Sequence, residues 1–161
     1  MKKLGEKDHK ALAIWAADCA ERVLHYFEEK YPEDNRPRKA IEACREWART
    51  GVFRMVDIRR DALAAHAAAR EVGEDNAARS ASRAAGHALA TAHVPTHALG
   101  VAYALQAVRR ATGSEDAVAR ERAWQFRHLP KNLRPFIKAS ISRYGKKQNL
   151  ITQNLIIPAT W

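Results

Sequence analysis

Apolar residues recur along this chain at three- and four-residue spacing with charged residues between them, and almost nowhere do they alternate with a period of two. Over residues 8–30, Leu12, Trp15, Ala16, Cys19, Val23, Tyr26 and Phe27 form one stripe, while Lys10, Asp18, Arg22, His25 and Glu29 take the other faces. That pattern predicts a long amphipathic helix. Tyr31-Pro32 ends it, and Asp34 or Asn35 can cap a second helix carrying Pro37 in its first turn. The second helix buries Ala40, Ile41, Cys44, Trp47 and Ala48 and stops at Gly51. A third is predicted over residues 57–72, with Ile58, Ala62, Ala65 and Ala69 on one face and Gly73 as its stop.

The fourth helix, residues 75–93, has a stripe of Ala77, Ala78, Ala81, Ala84, Ala85, Ala88 and Ala92, and the fifth, residues 95–112, buries Ala98, Val101, Ala102, Leu105 and Val108. Small residues on facing stripes let helix axes approach closely, so these two are expected to form a tight antiparallel hairpin at the centre. After Gly113, Ser114 can cap a sixth helix that runs to residue 129, before Pro130; a shorter one follows over residues 133–143. The last sixteen residues are polar apart from Leu155-Ile156-Ile157, and are expected to be an extended strap or a loose tail. The fold class is therefore all-α: one domain over residues 1–145, a helical bundle or short stack of helical hairpins with six to seven helices and an Ala-rich central hairpin. Residues 146–161 form a C-terminal extension.

Residues 84–108 contain no Asp, Glu, Lys or Arg in a chain that is 29% charged, which places them in the interior. They do not read as a membrane span: a crossing needs about 20 predominantly large apolar residues, and this run is mostly Ala, broken by three His, two Gly and Pro95. Nor does the charged start, MKKLGEKDHK, resemble a signal peptide. A cytoplasmic protein without membrane partners is expected. Cys19 and Cys44 fall on the cores of two helices; a disulfide between them is geometrically possible, but buried thiols are the expected state in a reducing compartment.

The candidate chemistry is sparse. His93 and His97 have the His-x-x-x-His spacing that sets two imidazoles on one helix face for zinc, but Pro95 breaks the helix between them. His66 and His87 can join them at the centre. With no Cys or carboxylate at ligand spacing, the four are predicted to be hydrogen-bonded interior histidines, with metal or small-molecule binding the alternative. Asp18 with Arg22, and Glu42 with Arg38 or Arg45, have the spacing of intrahelical ion pairs. A second reading has Asp18, Arg38, Arg45 and Trp47 line a binding groove between the first two helices, with Trp15 on the same helix as Asp18. Neither a Gly-x-Ser-x-Gly motif nor a phosphate-cradling Gly loop is present, so no catalytic residue, resident metal or cofactor is predicted.

The net charge of +10 is uneven: residues 1–50 hold eleven Lys/Arg and ten Asp/Glu, and residues 114–161 hold nine and three. Such a field favours anionic partners. Arg120, Arg127, Lys131, Arg134 and Lys138 interleave with Trp124, Phe126 and Phe136, as on a nucleic-acid surface, although helical spacing accounts for the aromatics equally well as core anchors. Nucleic-acid binding is accordingly an alternative function, expected to be weak.

The blocks LAIWAADCAERVL, NRPRKAIEACREWARTG, ALAAHAAARE, AAGHALATAHVPTHALG and RERAWQFRHLPKNLRP, in this order over about residues 8–137, resemble the all-helical, Imm-five-like putative immunity proteins of bacteria and archaea. The matching positions include Trp15, Asp18, Trp47, His66, Gly86, His87, His93, His97, Gly100 and Trp124. The resemblance implies protection of a cell from a toxin, or a related protein-binding task, without an established catalytic residue. A basic protein of this kind fits an acidic toxin surface. The sequence sets no oligomeric state.

Overall fold

The computed structural model describes residues 3–145 and 149–155, the side chains of residues 152 and 153 excepted. Eight α-helices follow one another among the described residues, with no strand: α1 (Glu6–Glu28), α2 (Arg36–Thr50), α3 (Met55–Glu71), α4 (Ala77–Ala90), α5 (Val101–Thr112), α6 (Glu115–His128), α7 (Arg134–Tyr144) and α8 (Asn149–Asn154). The predicted punctuation explains most of their ends. Gly51 and Gly113 take the left-handed conformation (φ 71° and 62°) that closes α2 and α5, each N–H donating to a carbonyl of the last turn. The side-chain oxygens of Asn76 and Ser114 accept from the backbone of Arg79 and Ala117 and open α4 and α6.

The chain departs from its sequence pattern around Pro95. The fourth helix ends at Ala90 instead of residue 93, because Val94 is extended (φ −131°, ψ 114°), as a residue before proline must be. Pro95–Gly100 then winds as a 3₁₀ helix, and the α-helix begins only at Val101. At the C-terminus, residues 149–154 are helical, where a strap or loose tail was expected: Ile151 and Leu155 are buried, and Arg109 of α5 and Arg122 of α6 both donate to Asn154. The rest of the predicted extension, residues 146–148 and 156–161, lies outside the described residues.

The axis of the fold is α4, which packs against α1, α2, α3 and α5. Its Ala78, Ala81, Ala84, Ala85 and Ala88 are buried, and Ser82 satisfies its hydroxyl by donating to the Ala65 carbonyl of α3 at 2.7 Å. Large side chains fill the outer core, where Leu12, Leu24 and Phe27 of α1 and Ile41 of α2 are sealed from solvent. Both thiols are free and buried, and burial raises their pKa values, that of Cys44 to about 12. No helix among the described residues is long and apolar enough to cross a membrane.

Candidate functional site

Three of the four central histidines form a chain of ring contacts. His66 on α3 meets His87 on α4 edge-to-face with ring centroids 5.0 Å apart, and His87 lies 5.6 Å from His97 of the 3₁₀ segment. The other neighbour of His87 is Tyr103 on α5, stacked at 5.1 Å and 16°. His93 stands apart: it is exposed, in the turn after α4, 6.4 Å from the ring of Phe53.

Two glycines make room for this cluster. A Cβ at Gly86 would sit 2.8 Å from Cε1 and Nε2 of His66, and one at Gly100 would sit 2.2 Å from Cβ of His87. Neither glycine has a positive φ; both are required by close approach. The histidines do not find the hydrogen bonds predicted for them. Nδ1 of His66 and of His87 is sealed from solvent and has no partner among the described residues. The helix carbonyls nearby are engaged in their own ladders, so the rings pack on each other and on glycine instead.

Burial accordingly lowers the pKa of these imidazoles. His66 falls to about 4, through desolvation first and then the positive charges of Arg83 and Arg70; His87 falls to about 3, and His97 is also lowered. All three are neutral at pH 7. None of their rings hydrogen-bonds a carboxylate or hydroxyl among the described residues, and none of those residues forms a group of three or more His, Cys, Asp or Glu that could hold a metal ion.

A cleft opens on either side of His97. One, of about 420 Å³, lies between α3 and the end of α4; Met55, Ile58, Ala62, Leu63 and Ala90 line it together with Arg59, His66, His93 and His97. The other, of about 430 Å³, includes His87, His97, Tyr103, Tyr144 and Leu150 in its walls. Beside the first cleft the corner between α2 and α3 is apolar and open to solvent: Val52 is 65% exposed, Phe53 43%, Met55 39%, Val56 78% and Leu63 53%. These residues escaped the sequence reading. A signal was present, since VFRMV places four apolar residues in five within a segment assigned to no helix.

The groove predicted between the first two helices is dispersed. Trp15 is a core anchor, 2% exposed, whose indole N–H donates to the Gln125 carbonyl at 2.8 Å. Trp47 is buried too, edge-on to His9 and away from Asp18. Asp18 does share a shallow surface depression with Glu21, Arg22, Arg45 and Trp124, where Arg45 bonds Asp18 at 2.8 Å. The ion pairs predicted within helices form between them: Arg22 holds Glu121 of α6 through two bonds of 2.6 and 2.9 Å, and Arg38 of α2 holds Glu28 of α1. Arginine is long enough to reach across a helix interface, and its fork finds a better match there than one turn along its own helix.

In the C-terminal basic segment, Arg120, Arg127, Lys131 and Lys138 are exposed, while Arg134 is half-buried and reaches the Phe126 carbonyl. Of the interleaved aromatics, the half-buried Phe136, which packs against the core, is open to a surface cleft. Phe126 is in the core, and the half-buried Trp124 is covered by the Arg22 guanidinium at 4.0 Å and stacked on His128.

The model of the family described as Imm-5 like putative immunity protein matches residues 2–132. The chain belongs to that family. No curated protein and no solved structure matches it. Within this immunity-family chain, the match takes in the histidine cluster, its two glycine seats, the cleft lined by Arg59 and the apolar corner. It ends before α7 and α8. What these parts offer chemically is neutral imidazole in the cluster, guanidinium groups at the corner and a large apolar surface.

Proposed function

We propose that this protein is a non-catalytic immunity protein that neutralises a protein toxin by docking on it through the α2–α3 corner. The observation that carries the reading is the exposure of Val52, Phe53, Met55, Val56 and Leu63 on one part of the surface, beside Arg54, Arg59 and Arg60. Apolar and aromatic centres rimmed by arginine have the composition of an interface hot spot. Family membership supports the choice of a toxin as partner, and the net charge of +10 suits one whose surface is acidic.

The test is protection. Cells producing a toxin encoded beside this gene are expected to survive when the wild-type chain is co-expressed, and to die when the Phe53→Glu/Val56→Glu variant replaces it. Both altered residues are exposed, so the variant keeps its fold, which circular dichroism checks. Full protection by the variant would reject the docking surface, and failure of the wild type to protect or to form a complex would reject the immunity role.

A further inference from the structure

The cleft between α3 and the end of α4 has a composition that docking of a toxin at the neighbouring corner does not require. Its floor is apolar, from Met55, Ile58, Ala62, Leu63 and Ala90. No carboxylate lines it, and the one charged side chain in its wall is Arg59. Arg59 is exposed and makes no ion pair among the described residues, in contrast to Arg54 and Arg60 on the same stretch of chain, which pair with Asp57 and Asp61. Arg70 and Arg83 are close enough to act on the His66 imidazole and likewise make no ion pair among the described residues.

We infer that this cleft binds a small monocarboxylate with an apolar body, its carboxylate on the Arg59 guanidinium and its chain along Met55, Ile58 and Leu63. The volume, about 420 Å³, lies in the range of small-molecule sites. Arg59 is the one guanidinium in the cleft wall and no ammonium joins it, so a monoanion matches it better than a phosphate dianion, which needs more donors to replace its hydration. The planar guanidinium donates two parallel N–H bonds to a carboxylate. His66 contributes a fixed wall: its ring is seated on Gly86, and its Nδ1 has no partner among the described residues. The cleft shares Met55, Arg59 and Leu63 with the proposed docking corner, and its occupancy is tested on the chain alone, apart from any toxin.

Octanoate is the probe, with acetate and octan-1-ol as the charge-only and body-only controls. At pH 7, NMR titration is expected to show saturable shifts of the His66 and His97 ring protons and the Leu63 methyls, with a Kd of about 1 mM or tighter. Acetate and octan-1-ol should each bind at least about tenfold more weakly. Arg59→Gln and Leu63→Glu change exposed side chains, keep the fold, and should weaken octanoate about tenfold or more. Octan-1-ol binding as tightly as octanoate, unchanged affinity in Arg59→Gln, or shifts that never saturate would each overturn the assignment.

Discussion

Glycine at positions 86 and 100 is an absence of side chain that two imidazoles occupy. An alanine at position 86 would favour the helix by up to about 1 kcal/mol, but its Cβ would lie 2.8 Å from the His66 ring, so something must move. Gly86→Ala is therefore expected to destabilise the protein by about 1–3 kcal/mol, the usual cost of overpacking. In a His66→Ala background the same change should cost almost nothing or stabilise, and urea denaturation of the four proteins checks this. Equal costs in both backgrounds would mean that the glycine serves something else. The sequence showed the central place of His66, His87 and His97 but wrongly put the exposed His93 with them, and it showed Gly86 and Gly100 inside apolar helical stretches, where glycine needs a reason. It did not show the pairing, because His66 and Gly86 come together only when α3 packs on α4.

Titration of the same residues sets a second expectation. His66 and His87 have folded pKa values of about 4 and 3, below the ordinary 6.5, and His97 is lowered as well. A lowered pKa means that below pH 6.5 the unfolded chain binds protons which the folded chain refuses. Stability is then full above about pH 6.5 and is lost progressively as pH falls toward the folded values. Between pH 6.5 and 5 the carboxylates of Glu28 and Asp34, held low in the fold by Arg38 and Arg36, stay largely ionised in both states, so the histidines account for most of the change. The urea midpoint should fall across this window in the wild type and fall less in His66→Gln. A flat midpoint would show that the cluster is solvated.

At the level of helices, the small side chains of α4 and α5 set how near the two can come. We propose that they act as a close antiparallel pair: Ala88 is 2% exposed and Ala102 is fully buried. Replacing either by leucine should cost about 1–3 kcal/mol, read as a lowered melting temperature. Unchanged melting of both variants would remove the pair from the centre of the fold. Helix existence was legible from α1 to α7, since a 3.6-residue stripe and a capping residue are local properties, and was missed at α8, which was expected as a strap or tail. Two other things were not legible. The 3₁₀ winding of Pro95–Gly100 comes with the approach of Gly100 to His87, a tertiary contact, and the partners of Arg22 and Arg38 lie on other helices, Glu121 being 99 residues from Arg22. Periodicity also hid the α2–α3 corner, because it looks for stripes and VFRMV runs from a loop into the first turn of α3.

Over the whole molecule the excess positive charge is concentrated in residues 114–161, but the aromatic half of a single-strand binding surface is depleted, with Phe126 in the core, Trp124 covered and Phe136 half-buried. The expected outcome with duplex DNA is weak, sequence-indifferent binding, with Kd of about 10⁻⁴–10⁻⁶ M at physiological salt and a linear fall of log affinity with log salt. Fluorescence anisotropy across a salt series measures it. Nanomolar binding to a defined nucleic acid would move the function to the exposed Arg120, Arg127, Lys131 and Lys138.

His97 belongs to both clefts at once, a single ring serving as a partition with a chamber on each side. Two occupants of such chambers cannot be indifferent to one another if either leans on the ring. Whatever the first does to the affinity of the second, the second must do to the first by the same factor. A molecule filling the space beside Tyr103 and Tyr144 would thus register in the grip on a molecule beside Arg59, and the tilt of one imidazole would carry the message in both directions.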